Sequence, residues 1–416
     1  MRKKQRTAYQ LRAERLVLVC WIAYAILYVG KKTLNHCLPG MIAEGVCTEA
    51  SGGPIGSCFM AAYAVGQLLS GWLGDRIHPR FMIPSGLLLA GLCNVAMGSL
   101  SSAPLSMITW GACGLFCSML WPPIIRAVSE WTTAEIARSS GAALSATIPV
   151  GTIGCTLLCA LALRVSSWRL AFFLCGAVLV AASVAVYFLF ASLKDHMVPA
   201  APAADEEPGA PLPKASFLSF ALLFVAVGIA ANGMIKDGLD QWIPTLLGQE
   251  LLKDQSLASL ITAIMPVFNI FGAYAAKWLL ARGRSEMGGC AILFGVSVVS
   301  LGAVLCLLRT GWEGVAAAVV MTVLLALSSA AMLGVNTLLL TYIPFYYGKI
   351  GRAAAVSGLL NGFSYAAAAA AAAAVGLIDD WETVFAVFVT AAAVGALASL
   401  LGRRPLGRKF RELEKQ

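Results

Sequence analysis

Charge is scarce in this chain: Asp, Glu, Lys and Arg together make up 12% of its 416 residues, where an average soluble domain carries about 25%. Hydrophobic residues make up 59%. A water-soluble core cannot absorb that much apolar surface, so lipid is the expected solvent for most of the chain. Aromatics are few as well, at 9% against 40 glycines. The apolar mass is therefore aliphatic and small, as suits helices that pack closely in a bilayer. Disordered, collagen-like and disulfide-scaffold chains are excluded by the same figures. No phosphate-binding loop, no glycine-rich dinucleotide fingerprint, no nucleophile elbow and no zinc motif is visible. Neither an ATP-driven pump nor an enzyme is expected, and no cofactor. The 12 cysteines are scattered through apolar stretches, as at Cys113 and Cys117 or Cys155 and Cys159, and read as small packing residues. No CxxC pair or Cys/His cluster suggests a metal. Cys37, Cys47 and Cys58 alone fall near a face where a bridge is chemically open to them.

What is present is a series of apolar runs. Approximate spans are 15–38, 54–76, 81–100, 104–130, 138–163 and 168–191, then 216–246, 256–280, 286–308, 313–343, 350–377 and 382–402. The fold class expected is all-α: a polytopic membrane protein of twelve helices in two six-helix bundles. Residues 1–192 form the first bundle, 193–215 a linker, 216–402 the second bundle and 403–416 a basic tail. The linker carries Asp205, Glu206 and Glu207 among prolines and alanines, so it neither spans nor packs. The basic arm at the start and the long apolar run after it read as a retained first helix rather than a cleaved signal. Lys and Arg concentrate in the arm, the tail and the loops on one side. Arg164, Arg169, Lys253 and Arg309 are left on the other. That bias places both termini in the cytoplasm, in a cell (inner) membrane. It also assigns the net charge of +9 to topology and not to nucleic acid. A monomer is expected.

Four basic residues fall outside this pattern: Lys31, Lys32, Arg126 and Lys236. A charge in the bilayer core costs several kcal/mol unless it faces a cavity or a partner, so these are candidate functional residues. With Pro39 read as the outer end of the first helix, eight residues at about 1.5 Å each put Lys31 about 12 Å deeper, near the midplane. Lys236 repeats its setting: each lysine has Leu at +3 (Leu34, Leu239) and Pro at +8 (Pro39, Pro244). Helices one and seven are equivalent under two parallel six-helix repeats, an arrangement in which matching positions line a central site. Two such cations bind an anion; the competing reading is a pair of lysines reaching for the interface. Asp237 and Asp240 keep proton coupling open, and His36, one turn from Lys32, is a further titratable group.

The loop Gly71-Trp-Leu-Gly-Asp75-Arg76-Ile-His-Pro-Arg80 resembles the signature loop of the major facilitator superfamily. Such a loop locks a cytoplasmic gate, with Asp75 and Arg76 or Arg80 pairing with charges or helix termini. Within that superfamily the chain is similar to the organophosphate:phosphate antiporter family. The resemblance rests on Tyr24-Ala-Ile-Leu-Tyr28 before Lys31-Lys32 and Pro39, and on Tyr63 through Asp75 to Pro79-Arg80. It continues in Leu120-Trp-Pro-Pro123 with Arg126, in Lys236-x-Gly238 through Trp242 to Pro244-Thr245, and in Ser357-Gly-Leu359 to Tyr365. It implies transport by alternating access, with Lys31 and Lys236 clamping the substrate phosphate and Tyr24, Tyr28 and Tyr63 lining the pocket. Both clamp positions are usually Arg in the family, whose planar fork grips phosphate with more geometric selectivity than a lysine does. A family lysine is replaced by Gln67, a histidine falls near Ile148 and a carboxylate near Ile261. A phosphate ester and a smaller organic anion are therefore both compatible. Alternatives to exchange are proton-coupled symport and a transporter-like membrane sensor. Arg126 reads either as part of a gate or as the partner of Glu130, four residues on. Asn269, Asn361 and Tyr365 are polar candidates for the substrate pocket or for interhelical bonds.

Overall fold

The computed structural model describes residues 8–193, 220–246, 264–312, 314–375, 378 and 380–415. Most of the expected linker therefore lies outside the described residues. The first span is a pair of helices, α1 (Ala8–Lys31) and α2 (Thr33–Ala43). It is followed by α3 (Glu49–Gly74), α4 (Pro79–Ser99), the pair α5 (Ala103–Cys117) and α6 (Trp121–Trp131), α7 (Ala134–Val165) and α8 (Trp168–Ser192). The second series is α9 (Phe220–Leu246), α10 (Met265–Ala281), α11 (Glu286–Arg309), α12 (Val315–Thr337), α13 (Ala353–Val375) and α14 (Trp381–Lys415). After α12 the chain continues through a π turn, Leu338–Tyr342, one more α turn and a 3-10 turn, Tyr347–Ile350. Each expected span contains a helix among the described residues. Among the described residues ten helices are long and apolar enough to cross a membrane; α3 is diluted by glycine and serine, and α10 is described over 17 residues. The protein is a multi-pass membrane protein.

Two boundaries differ from the sequence expectation. Pro39 does not end the first helix but lies inside α2. A membrane helix tolerates proline where neighbouring groups satisfy the freed carbonyls. The discontinuity comes earlier, at Lys32 (φ −103°, ψ 2°), where the Thr33 hydroxyl donates to the carbonyls of Val29 and Gly30, both at 3.1 Å. The span stops only at Gly45, whose φ of 72° suits a residue without Cβ. At the other end of the chain α14 does not stop near 402. It runs on through the basic tail, because Leu406 and Phe410, one turn apart, bury an apolar edge beneath the arginines.

The chain forms two compact units. The first is Met1–Ser219 together with Pro344–Leu359, and the second is Phe220–Ile343 together with Leu360–Lys415. Within the first, α4 packs on α8, α3 on α5 and α1 on α7; within the second, α11 packs on α14 and α10 on α12. Counted by span, third-on-sixth and second-on-fourth occur in both units, as expected for a six-helix repeat. Small residues bring the axes close. A Cβ on Gly91 of α4 would meet the carbonyl oxygen of Gly176 on α8 at 3.0 Å.

Candidate functional site

Lys31 ends α1 and is 7% exposed. Its ammonium lies 3.7 Å from the ring centre of Tyr63, 5.0 Å from Tyr28 and 5.9 Å from Phe59. Helical spacing explains the company: Tyr24 and Tyr28 are one turn apart on α1, and Phe59 and Tyr63 one turn apart on α3. Tyr24 meets Tyr28 edge-on at 5.4 Å and Trp121 at 4.5 Å, and Phe59 lies 5.3 Å from Trp110. Ring faces held this close to an ammonium are worth about 2 kcal/mol where water is excluded. Of the three tyrosines expected at the pocket, Tyr28 and Tyr63 face the Lys31 ammonium and Tyr24 packs on Tyr28. Phe59, Trp110 and Trp121 complete the setting; Phe59 was legible as the residue one turn before Tyr63. Lys32, at the break between α1 and α2, is half-buried.

Lys236 lies in α9, and its ammonium pairs with Asp237 Oδ1 at 2.5 Å, the two side chains being 11% and 9% exposed. The second Asp237 oxygen is buried with no hydrogen-bond partner. The carboxylate considered for proton coupling therefore already serves as counter-ion to the candidate clamp lysine. Asp240 is also in α9, but its side chain lies outside the described residues. Elsewhere in this unit Asn361 is buried and Tyr365 half-buried on α13. Asn269 of α10 has a buried carbonyl oxygen without a partner. Asn232, not singled out from sequence, donates to the Met332 carbonyl at 2.6 Å.

The loop between α3 and α4 is built as a connector. Asp75, the C-cap of α3, accepts a bond from the backbone N–H of Ala354, in the first turn of α13, at 3.1 Å. A carboxylate at a helix N-terminus is favourably placed. Burial, with Glu130 nearby, nevertheless pushes the Asp75 carboxyl up to about 6, against the backbone bonds and Arg126, which pull it down. Arg126 is the partner of Glu130, at 2.9 Å, and it donates to the carbonyls of Gly74 at 2.8 Å and Ile77 at 3.4 Å, closing the end of α3. Arg76 stacks over Trp72 at 3.7 Å, while Arg80 donates to the Tyr187 hydroxyl at 3.4 Å. Behind the loop, α3 and α13 cross at glycine: a Cβ on Gly358 would fall on the Gln67 carbonyl oxygen and on Gly71 Cα.

Two further candidates serve interhelical bonds. Gln67 is fully buried, and its amide donates to the Ser118 carbonyl at 3.5 Å. His36 Nε2 lies 3.2 Å from the Thr156 hydroxyl. The fold also assembles what spacing alone did not suggest: Cys155, Cys159 and Cys175 converge in the first unit.

The Major Facilitator Superfamily profile matches residues 20–372, so the chain belongs to that superfamily, a family of transporters and not of enzymes. Among curated proteins it is similar to a probable hexose phosphate transport protein of Chlamydia muridarum, 28% identical over 42% of this chain and 38% of the relative. It also resembles the glycerol-3-phosphate transporter of Haemophilus influenzae, 34% identical over 27% of this chain and 24% of the relative. A third relative is the membrane sensor protein UhpC of Salmonella typhimurium, 25% identical over 30% of this chain and 28% of the relative. The matched stretches thus span well under half of these relatives. Among solved structures, a bacterial homologue of the iron transporter ferroportin in an outward-facing state superposes with a TM-score of 0.68. It is 14% identical and covers 96% of this chain and 100% of that one, a likeness of fold alone.

Proposed function

We propose that the protein is a secondary active transporter that carries a small organic anion, of the phosphate-ester class, across a cell membrane by alternating access, both termini being cytoplasmic. The observation that supports this best is Lys31, a cation deep in the first unit at a break in its helix and ringed by tyrosines. Broken membrane helices offer unpaired backbone groups and charge where substrates bind. Lys236, its echo in sequence, supplies the second cation. The phosphate class draws its support from relatives named for hexose phosphate and glycerol-3-phosphate. Binding at Lys236 proceeds as an exchange of partners, the anion's oxygens taking its ammonium from Asp237; at Lys31 the ammonium is presented over ring faces. Asp237, the carboxylate open to proton coupling, is already engaged by the Lys236 ammonium. This favours exchange of one anion for another, inorganic phosphate being the natural counter-substrate.

Reconstitution into proteoliposomes loaded with phosphate tests the reading. Lys31→Ala and Lys236→Ala each reduce sugar-phosphate uptake by at least a hundredfold while the purified variants stay monodisperse. Undiminished uptake by both overturns it. A second reading is favoured by the similarity to UhpC, named a membrane sensor: an anion receptor binds without turnover, so saturable binding with zero net flux identifies it.

A further inference from the structure

In the first unit, Cys155 and Cys159 lie one turn apart on α7, and Cys175 faces them from α8. Their sulfurs all fall within 4.8 Å of one another, Cys155 to Cys159 at 3.8 Å and Cys159 to Cys175 at 4.0 Å. All three residues have zero exposure. Three sulfurs around one ion at a metal–sulfur distance of about 2.3 Å stand about 4.0 Å apart when the ion is in their plane. The separations found are those of a ligand set, and they are reached without moving either helix. The surroundings add to this. Cys37 of α2 is not one of the three sulfurs that lie within 4.8 Å of one another; its thiol donates at 3.5 Å to the Trp168 carbonyl. His36, half-buried beside Cys159, is held by Thr156 and provides a polar step toward the triad.

We propose that Cys155, Cys159 and Cys175 form a three-coordinate thiolate site for a soft monovalent cation, Cu(I). Ligand type and number select the ion. Thiolates favour Cu(I) and zinc over hard cations, but structural zinc is almost always four-coordinate, and three sulfurs converge here. Binding takes up Cu(I) as Cu(I), with no change of oxidation state. The thiols that become ligands release their protons to water. The bound ion ties α7 to α8 and does not touch the anion site proposed above.

The test uses the full chain, reduced and purified in detergent under argon, titrated with Cu(I) against bathocuproine disulfonate. The wild-type protein withdraws one Cu(I) per chain from the chelator, and its copper X-ray absorption shows three sulfur neighbours and no imidazole shell. Cys159→Ser and Cys175→Ser each weaken retention at least a hundredfold, whereas Cys290→Ser, a buried cysteine of the second unit, leaves it unchanged. Failure of the wild type to compete with the chelator overturns the proposal. So does equal loss in Cys290→Ser, or a first shell with fewer than three sulfurs. Should the serine variants not fold, the absorption spectrum of the wild type decides alone.

Discussion

Asp237 is a buried carboxylate and Asp75 a half-buried one, and each makes a prediction of its own. Removing one member of a buried ion pair weakens the charge compensation of the other. Asp237→Asn therefore destabilises the ligand-free protein and opens Lys236 to an incoming anion. The rise in melting temperature on adding a sugar phosphate should be larger in this variant than in the wild type; an equal or smaller rise removes Asp237 from the exchange of partners. Asp75 sets a pH dependence. Its carboxyl is raised from 3.8 to about 6 by burial, so the folded state holds a proton that the unfolded chain releases earlier. The stabilisation is fully present below about pH 3.8 and is lost as pH rises through about 6. Asp75→Asn keeps an oxygen to accept the Ala354 N–H but does not titrate. Melting curves between about pH 4 and about pH 7 should fall less steeply for the variant than for the wild type, and superimposed pH profiles would count against this role.

At the scale of elements, the crossing of α3 and α13 has no room for side chains. Gly358→Ala sets a methyl group against the backbone of Gln67 and Gly71, and forced overpacking of this kind costs about 1–3 kcal/mol. Thermal melting should register that loss, while Gly295→Ala, where a Cβ meets nothing within 4 Å, should be nearly neutral. The helices themselves were readable from sequence, because length and hydropathy suffice once lipid is the solvent. Their interruptions were not. Pro39 is the residue that local rules single out as a stop, yet the break falls at Lys32, where a threonine hydroxyl bridges the gap. The tail reads from sequence only as basic, whereas in the fold Leu406 and Phe410 are both buried, one turn apart. In the same way, the lysine echo was visible as spacing and Phe59 as an i−4 neighbour of Tyr63. Trp110, Trp121 and the convergence of Cys175 on Cys155 and Cys159 depend on which helices meet, and spacing along one helix does not carry that information.

At the scale of the whole molecule, the division into units does not coincide with the halves of the sequence, since Pro344–Leu359 belongs with the first unit. A chain opened inside the linker therefore yields a second fragment carrying sixteen residues that belong with the first. Co-expressed fragments 1–205 and 206–416 should copurify through a tag on either one, and deletion of 344–359 should abolish the association; separate elution of intact fragments would contradict the assignment. The π turn at Leu338–Tyr342 lies immediately before the point where the backbone passes from one unit to the other. Its wider ring of hydrogen bonds opens one residue further than the α pattern on either side. A rod so loosened at a single knuckle bends there before it bends anywhere else. In a transport cycle that moves one unit against the other, this is the joint at which the tenth span yields while Pro344–Leu359 stays with the first unit.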